Sequence, residues 1–340
     1  MKQLVMAERF CLIGHIVSMA FGLAGLLLVL PNPGLVLSLP ASGQTFFQWS
    51  MAGGGVVYIV LGTAAVAIYA YRTLGWWRWL AFMVPSVFIS LGSELLGTST
   101  GFPFGDYAYL SGLGYKIAGL VPVTIPLSWF YLGLASYLLA RTGLNSEQKP
   151  SWWRQLGAIA LGALLLTSWD FVLDPAMSQT AAPFWEWETP GAFFGMPYQN
   201  FFGWFGTGAV FMTVAAILWS KKPFAKQDAY STLTQDGSTT LTRDAYSTLT
   251  RSQLNLPLTV YLGNFAFATV MSLAAGIWIP VVLGLLLGVA PAVTLWWVTK
   301  PASASAALNL AVNTAAANLS SSEASRKTET PVASVGVAQK

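Results

Sequence analysis

Apolar stretches close to the roughly 20 residues needed to cross a bilayer recur at about 10–30, 52–71, 77–97, 118–140, 153–173 and 200–219. Each predicts a membrane-spanning helix. A further run from Leu258 to Val298 is too long for one crossing, and Gly276 and Pro280 near its middle divide it into a tight hairpin of two spans. The pattern therefore predicts an all-α, polytopic helical membrane protein of about eight transmembrane helices. Pro85 should kink the third span ahead of Glu94.

The basic residues give these spans a direction. Apart from Lys116, every lysine and arginine falls in alternate inter-span segments: Lys2 and Arg9, then Arg72 and Arg78, then Arg141, Lys149 and Arg154, then the segment of about 220–257, then the tail. By the positive-inside rule both termini and these basic loops are cytoplasmic. Merging the last two spans would put the basic tail outside, so the alternation supports eight. The apolar run from Phe10 to Leu30 follows Lys2 and Arg9 as a signal peptide would, but it exceeds the roughly 7–15 residues of a signal h-region. It reads as a retained first span.

Between the sixth and seventh spans, DAYSTLT occurs at Asp228–Thr234 and again at Asp244–Thr250. Seven residues twice cannot build a solenoid, so this reads as a duplicated polar linker. The segment 301–340 is rich in Ala, Ser, Thr and Asn without apolar periodicity and is expected to be a disordered cytoplasmic tail. Residues 1–300 then form one transmembrane domain, with the linker of about 220–257 inside it.

Composition agrees: hydrophobic residues are 55% and charged residues 9% of the 340, which is membrane composition. The net charge of +4 comes with no aromatic-interleaved basic patch, which argues against a nucleic-acid partner. Cys11 is the only cysteine and His15 the only histidine. Intrachain disulfides, CxxC redox chemistry, cysteine-rich metal sites and histidine-box di-iron chemistry are thereby excluded, and His15 reads as a satisfied core histidine.

With the amino terminus inside, six of the chain's 13 acids gather on the outer side. Glu94 ends the third span, Asp170 and Asp174 end the fifth, Asp106 lies in the loop between spans three and four, and Glu186 and Glu188 lie in the loop before Asn200. Only Lys116 is a nearby base. An excess of unpaired carboxylates makes a carboxylic acid that keeps its proton near neutrality attainable. An ionisable residue inside a span is a functional site by default, against a structural bond for Glu94 to a helix-end amide. Asp170 and Asp174 are one helical turn apart on one face, although Asp174 before Pro175 also suits a helix stop. Glu186 and Glu188 fit a solvated loop, and Asp106 in PFGDY fits a turn. Both loops are dense in aromatic residues, which suits an interfacial belt or a pocket for a long apolar or cationic ligand. Glycines at 97, 101 and 105 with Pro103 predict a glycine-rich re-entrant turn.

Four motifs carry a resemblance: SELLGTSTGFPFGDYAY (Ser93–Tyr109), VPVTIPLSW (Val121–Trp129), SWDFVLDPAM (Ser168–Met177) and WEWETPGAFFGMPYQNFFGW (Trp185–Trp204). In this order they resemble the membrane-bound carotenoid 1,2-hydratase family (CruF-like carotenoid biosynthesis proteins), over roughly residues 50–300. The resemblance implies addition of water to the terminal double bond of an acyclic carotenoid end group, giving a tertiary alcohol without a metal or redox cofactor. It also implies a carotenoid substrate drawn from the lipid bilayer, other carotenoid-pathway enzymes as partners, and a bacterial inner or photosynthetic membrane. Such a hydration needs a proton donor, a stabilised tertiary cation and a held water. Glu94 or Asp170 is the candidate general acid, and Asp174 or Asp106 the group that orients the water and accepts its proton. Phe104, Tyr107, Tyr109, Trp169, Trp185, Trp187, Asn200 and Trp204 are the candidate substrate-binding residues, their aromatic faces stabilising the cation.

Three other readings start from the same residues. A DxxxD pair such as Asp170 and Asp174 holds magnesium and diphosphate in intramembrane prenyltransferases, but a second acidic motif is missing here. A carotenoid end-group cyclase shares the protonation step and closes a ring instead. A transporter or carotenoid-binding membrane protein would use the acids as a proton relay, and the two halves show no similarity that would support a transporter's repeat.

Overall fold

The computed structural model describes residues 2–144, 151–180, 182–220, 231–233, 239–241 and 249–299. In chain order the helices are α1 (Lys2–Val29), α2 (Pro33–Leu37), α3 (Ala41–Leu74), α4 (Trp76–Thr100), α5 (Thr124–Gly143), α6 (Trp152–Met177), α7 (Tyr198–Ser220), α8 (Asn255–Ala274) and α9 (Trp278–Val298). The C-terminal end of α1 and the middle of α9 each carry a π-helical turn, at Gly25–Val29 and Leu285–Val289. The protein is an all-α polytopic membrane protein: α1, α3, α4, α6, α7, α8 and α9 are long and apolar enough to span a bilayer.

The helix α5 occupies the place of the expected span at 118–140 but is not among those seven. Thr124, Ser128, Ser136 and Arg141 lower its hydropathy, and its surroundings explain why it tolerates them. Every residue from Thr124 to Thr142 except Leu127 is enclosed, with α3, α4, α6, α8 and α9 packed around it. A helix wrapped by protein presents no face to lipid, so its side chains answer to neighbouring helices instead.

Two boundaries differ from the apolar pattern. The helix α3 begins at Ala41 rather than near 52 and is 34 residues long, about 51 Å at 1.5 Å per residue, well beyond a hydrocarbon core of roughly 30 Å. Its first turns carry Phe46 and Trp49, aromatic residues suited to the interface. The helix α6 continues through Asp174 and Pro175 to Met177, so Asp174 is a helical residue and not the stop. The break between α8 and α9 falls where expected, at Gly276, whose φ of +74° is the left-handed conformation that glycine adopts without strain.

Short strands complete the description. The pair β1 (Tyr107–Tyr109) and β4 (Trp185–Trp187) is antiparallel, as are β2 (Lys116–Ile117) with β3 (Val121–Pro122) and β5 (Ser231–Leu233) with β6 (Thr239–Leu241). The duplicated DAYSTLT segments lie mostly, and the tail at 301–340 wholly, outside the described residues. A glycine turn does follow α4: Gly101 ends the helix with φ +76° and its N–H bonds Gly97 O at 2.8 Å.

At the end of the bundle away from that turn, α1 is tied to α3 by Arg72, which donates to Glu8 through Nε at 3.0 Å and Nη2 at 3.1 Å. Further along the same pair, His15 bonds Tyr58 O at 2.7 Å through Nδ1 and Asn264 Nδ2 at 3.0 Å through Nε2, while Tyr131 donates to Asn264 Oδ1 at 3.0 Å. The lone histidine is thus a satisfied core residue linking α1, α3, α5 and α8. Because Glu8 is buried, Arg72→Ala should lower stability in detergent by about 3 kcal/mol, the order expected for leaving one buried charge unpaired. The double variant Glu8→Gln/Arg72→Ala should recover part of that loss in the same thermal melts.

Candidate active site

Three carboxylates meet at one end of the bundle because three helix ends meet there. Glu94 lies in the last two turns of α4, Asp170 and Asp174 lie one turn apart near the end of α6, and Asn200 lies in the first turn of α7. Their exposures are 2%, 4%, 2% and 2% respectively. They line a cavity of about 60 Å³, room for a few water molecules or the tip of a larger ligand.

The carboxylates are bonded in three different ways. Glu94 Oε2 accepts from the Tyr107 and Tyr109 hydroxyls, the latter at 2.9 Å, and Glu94 Oε1 accepts from Trp129 Nε1 at 2.9 Å. Asp174 also uses both oxygens, accepting from Trp185 Nε1 at Oδ1 and from Asn200 Nδ2 at Oδ2, 3.1 Å. Asp170 uses one: its Oδ2 accepts from Asn200 Nδ2 at 2.8 Å, its only side-chain partner among the described residues. The second oxygen of Asp170 is therefore the one carboxylate oxygen of the three residues without a side-chain donor among the described residues, open to a proton or a ligand.

Trp129 and Asn200 donate from helices, whereas Tyr107, Tyr109 and Trp185 come from loops, where a small sheet aims them. In the register Tyr107↔Trp187, Ala108↔Glu186, Tyr109↔Trp185, alternate residues face alternate sides. Tyr107, Tyr109, Trp185 and Trp187 line the cavity, while Glu186 is turned to solvent. Gly97 lets the sheet settle on α4, since a Cβ there would come within 2.7 Å of Phe104 and 3.2 Å of Tyr107. Burial, and then the Glu94 carboxylate, push the Tyr107 and Tyr109 phenols well above their ordinary range. Both stay protonated and donate. Trp187 Nε1 is buried on the cavity wall beside the Asp174 carboxylate.

Aromatic faces form the rest of the wall. Trp129 stacks on Trp204 at 3.9 Å between ring centres and 16° between planes, and Trp169 meets Trp204 edge-on at 5.8 Å. Phe104 packs against Trp129 at 6.2 Å. A site with acids on one side and indole faces on another is suited to a cation that forms and is quenched inside it. No group of three or more His, Cys, Asp and Glu is placed to hold a metal among the described residues.

A family model described as carotenoid biosynthesis protein matches residues 54–241 and 229–291. The chain belongs to this family. Among curated proteins, bisanhydrobacterioruberin hydratase of Haloarcula japonica is 37% identical over 128 residues, which is 38% of this chain and 41% of that protein. The alignment thus spans less than half the length of that relative. No solved structure matches the chain. The three carboxylates of the cavity and Asn200 lie within the part that matches the carotenoid biosynthesis family.

Of the residues singled out from sequence, Glu94, Asp170 and Asp174 converge on the cavity, as do Phe104, Tyr107, Tyr109, Trp169, Trp185, Trp187, Asn200 and Trp204. Asp106 does not. It is exposed, its backbone oxygen accepts from Glu188 N at 2.9 Å, and strand alternation turns it away from the face that carries Tyr107 and Tyr109. It is a turn residue, and Glu186 and Glu188 are likewise exposed. Lys116 Nζ bonds Tyr109 O instead of a carboxylate. Sequence reasoning missed Trp129, which lies in one of the four motifs yet sits on a different helix from Glu94. It also missed Tyr58 and Phe267, apolar-run residues that reach the cavity from α3 and α8.

Donor counting makes the site's stability testable. Glu94→Gln keeps two polar atoms among hydroxyls that can reverse their direction, whereas Glu94→Leu strands three buried donors at about 1–3 kcal/mol each. Thermal melts in detergent should therefore show Glu94→Leu as markedly less stable than Glu94→Gln.

Proposed function

We propose that this carotenoid biosynthesis family member is a carotenoid hydratase that adds water to the terminal double bond of an acyclic end group, giving a tertiary 1-hydroxy carotenoid. The observation that carries the reading is the unequal bonding of the three carboxylates around one enclosed aromatic cavity. Family membership and the name of the Haloarcula relative support the same chemistry.

The mechanism follows from which oxygens are already engaged. Asp170, with one oxygen unpartnered, is the proton donor to the less substituted carbon of the alkene. Positive charge then develops on the tertiary carbon, where the faces of Trp129, Trp169 and Trp204 stabilise it. A water in the cavity attacks that carbon, and Glu94 or Asp174, whose lone pairs are set by N–H and O–H donors, takes the proton that the water releases. The alkene gains one hydrogen and one hydroxyl, and the cycle closes when the released proton passes back to Asp170. Neither a metal nor a redox cofactor enters the balance.

The Asn200 amide holds Asp170 and Asp174 in register across the helix pair α6 and α7, which makes it a positioning residue. In the orientation expected from the basic residues, this end of the bundle faces away from the cytoplasm, where water is at hand for a substrate dissolved in the bilayer.

Expression in a bacterial strain that accumulates an acyclic carotene tests the reading by mass analysis of extracted pigments. A product heavier by one water is expected, and Asp170→Asn and Glu94→Gln should each cut its yield by about 10²-fold or more with insertion unchanged. A product of unchanged mass would instead favour ring closure, and an unaltered pigment profile with well-inserted protein would count against both.

A further inference from the structure

A second and larger cavity, about 530 Å³, lies between the C-terminal half of α1 and the N-terminal part of α3. It exists because two helices that are close-packed at one end are splayed at the other. Where Gly14 and Gly62 face their neighbours, an added Cβ would meet Leu61 at 3.0 Å and His15 at 2.8 Å. Towards the carboxylate end, a Cβ at Gly22 or Gly25 on α1, or at Gly53 or Gly54 on α3, would meet nothing within 4 Å. These glycines border open space instead of drawing helices together, which is the usual role of small residues in membrane interfaces.

The groove has a mouth, a length and an inner end. Phe21 and Phe46 meet edge-on across it at 6.0 Å and are both largely exposed. The stretch of α3 that lines it, Phe46 to Tyr58, rises about 18 Å at 1.5 Å per residue. No charged residue lines it, so nothing there would hold a headgroup. At its inner end Tyr58, Phe184 and Phe267 also line the carboxylate cavity, with Tyr58 and Phe267 stacked at 6.0 Å and 26°.

The geometry points to the α1–α3 groove as the binding channel for the polyene chain of the substrate, which threads its end group past Tyr58, Phe184 and Phe267 into the carboxylate cavity. The identity of the end group rests on the hydratase reading; the groove, its apolar lining and its continuity with the acids do not. A cavity of 60 Å³ takes only the tip of such a molecule. The groove supplies the length that the acid site lacks, and its volume falls in the range of roughly 300–1,000 Å³ typical of small-molecule sites. It also orients the chain, because an elongated ligand fills it in one direction only.

Titrating an acyclic carotene into purified full-length protein in saturated-lipid nanodiscs, followed by tryptophan quenching, tests the channel. Saturable binding is expected. Gly54→Phe, and independently Gly22→Leu on the opposite wall, should weaken it about tenfold or more, since each fills space worth several methylene contacts. Gly206→Leu, at a glycine of α7 that also faces open space but borders neither cavity, should bind like wild type. Carotene binding that is unchanged in both groove variants overturns the proposal. So does a groove that takes lipid instead, seen as quenching by dibrominated phosphatidylcholine that depends on Gly54 while carotene quenching does not. The two claims fail separately. Groove-dependent carotene binding by a wild-type protein that forms no hydrated product would sink the hydratase reading and leave the channel standing. Hydration accompanied by groove-independent binding would do the reverse.

Discussion

The structure depends on the need to satisfy three carboxylates inside a membrane protein. An unpartnered charge or polar group in such surroundings is costly, so the chain must bring donors to Glu94, Asp170 and Asp174 from elsewhere. It does so with elements that no bilayer requires. The pairing of β1 with β4 carries Tyr107, Tyr109 and Trp185 onto the acids, α5 supplies Trp129, and α7 begins with Asn200. The glycine turn that ends α4 is what allows the sheet to fold back over Glu94.

The same constraint explains the unusual helix at the centre. The indole of Trp129 is useful only if α5 stands next to α4, and Tyr131 and Asn264 are satisfied only if α8 stands on its other side. Enclosed by its neighbours, α5 can carry serine, threonine and arginine that a lipid-facing helix would avoid. The carboxylate site and the middle of the bundle are therefore one packing problem.

Much of the fold was legible because hydrophobic length reports bilayer crossing directly. The helices, the break at Gly276 and the turn after Gly97 follow from run length, φ preference and proline placement. The acids were legible too, since charge inside an apolar run is conspicuous. For Asp106 the sequence allows both a turn and a site, for a reason that also hides the sheet. Three-residue strands leave no periodic signal, yet their alternation decides that Tyr107 and Tyr109 point in while Asp106 points out. The partnership of Trp129 with Glu94 was illegible because it joins residues 35 positions apart on helices whose adjacency no local pattern encodes. The splaying of α1 from α3 was hidden for the opposite reason: glycines read as close packing in one place and as open space in another, and only the neighbouring side chains distinguish them.

The central claim is that an acid in this cavity protonates an alkene and that water captures the resulting cation. Isotope incorporation tests it most directly, by supplying an acyclic carotene to the purified protein in deuterated, oxygen-18-labelled water and locating the labels in the product by mass spectrometry. The account predicts one oxygen-18 on the tertiary carbon and one carbon-bound deuterium on its neighbour. A product that contains deuterium but no labelled oxygen would show that the cation is quenched by the carotenoid itself, and would contradict it.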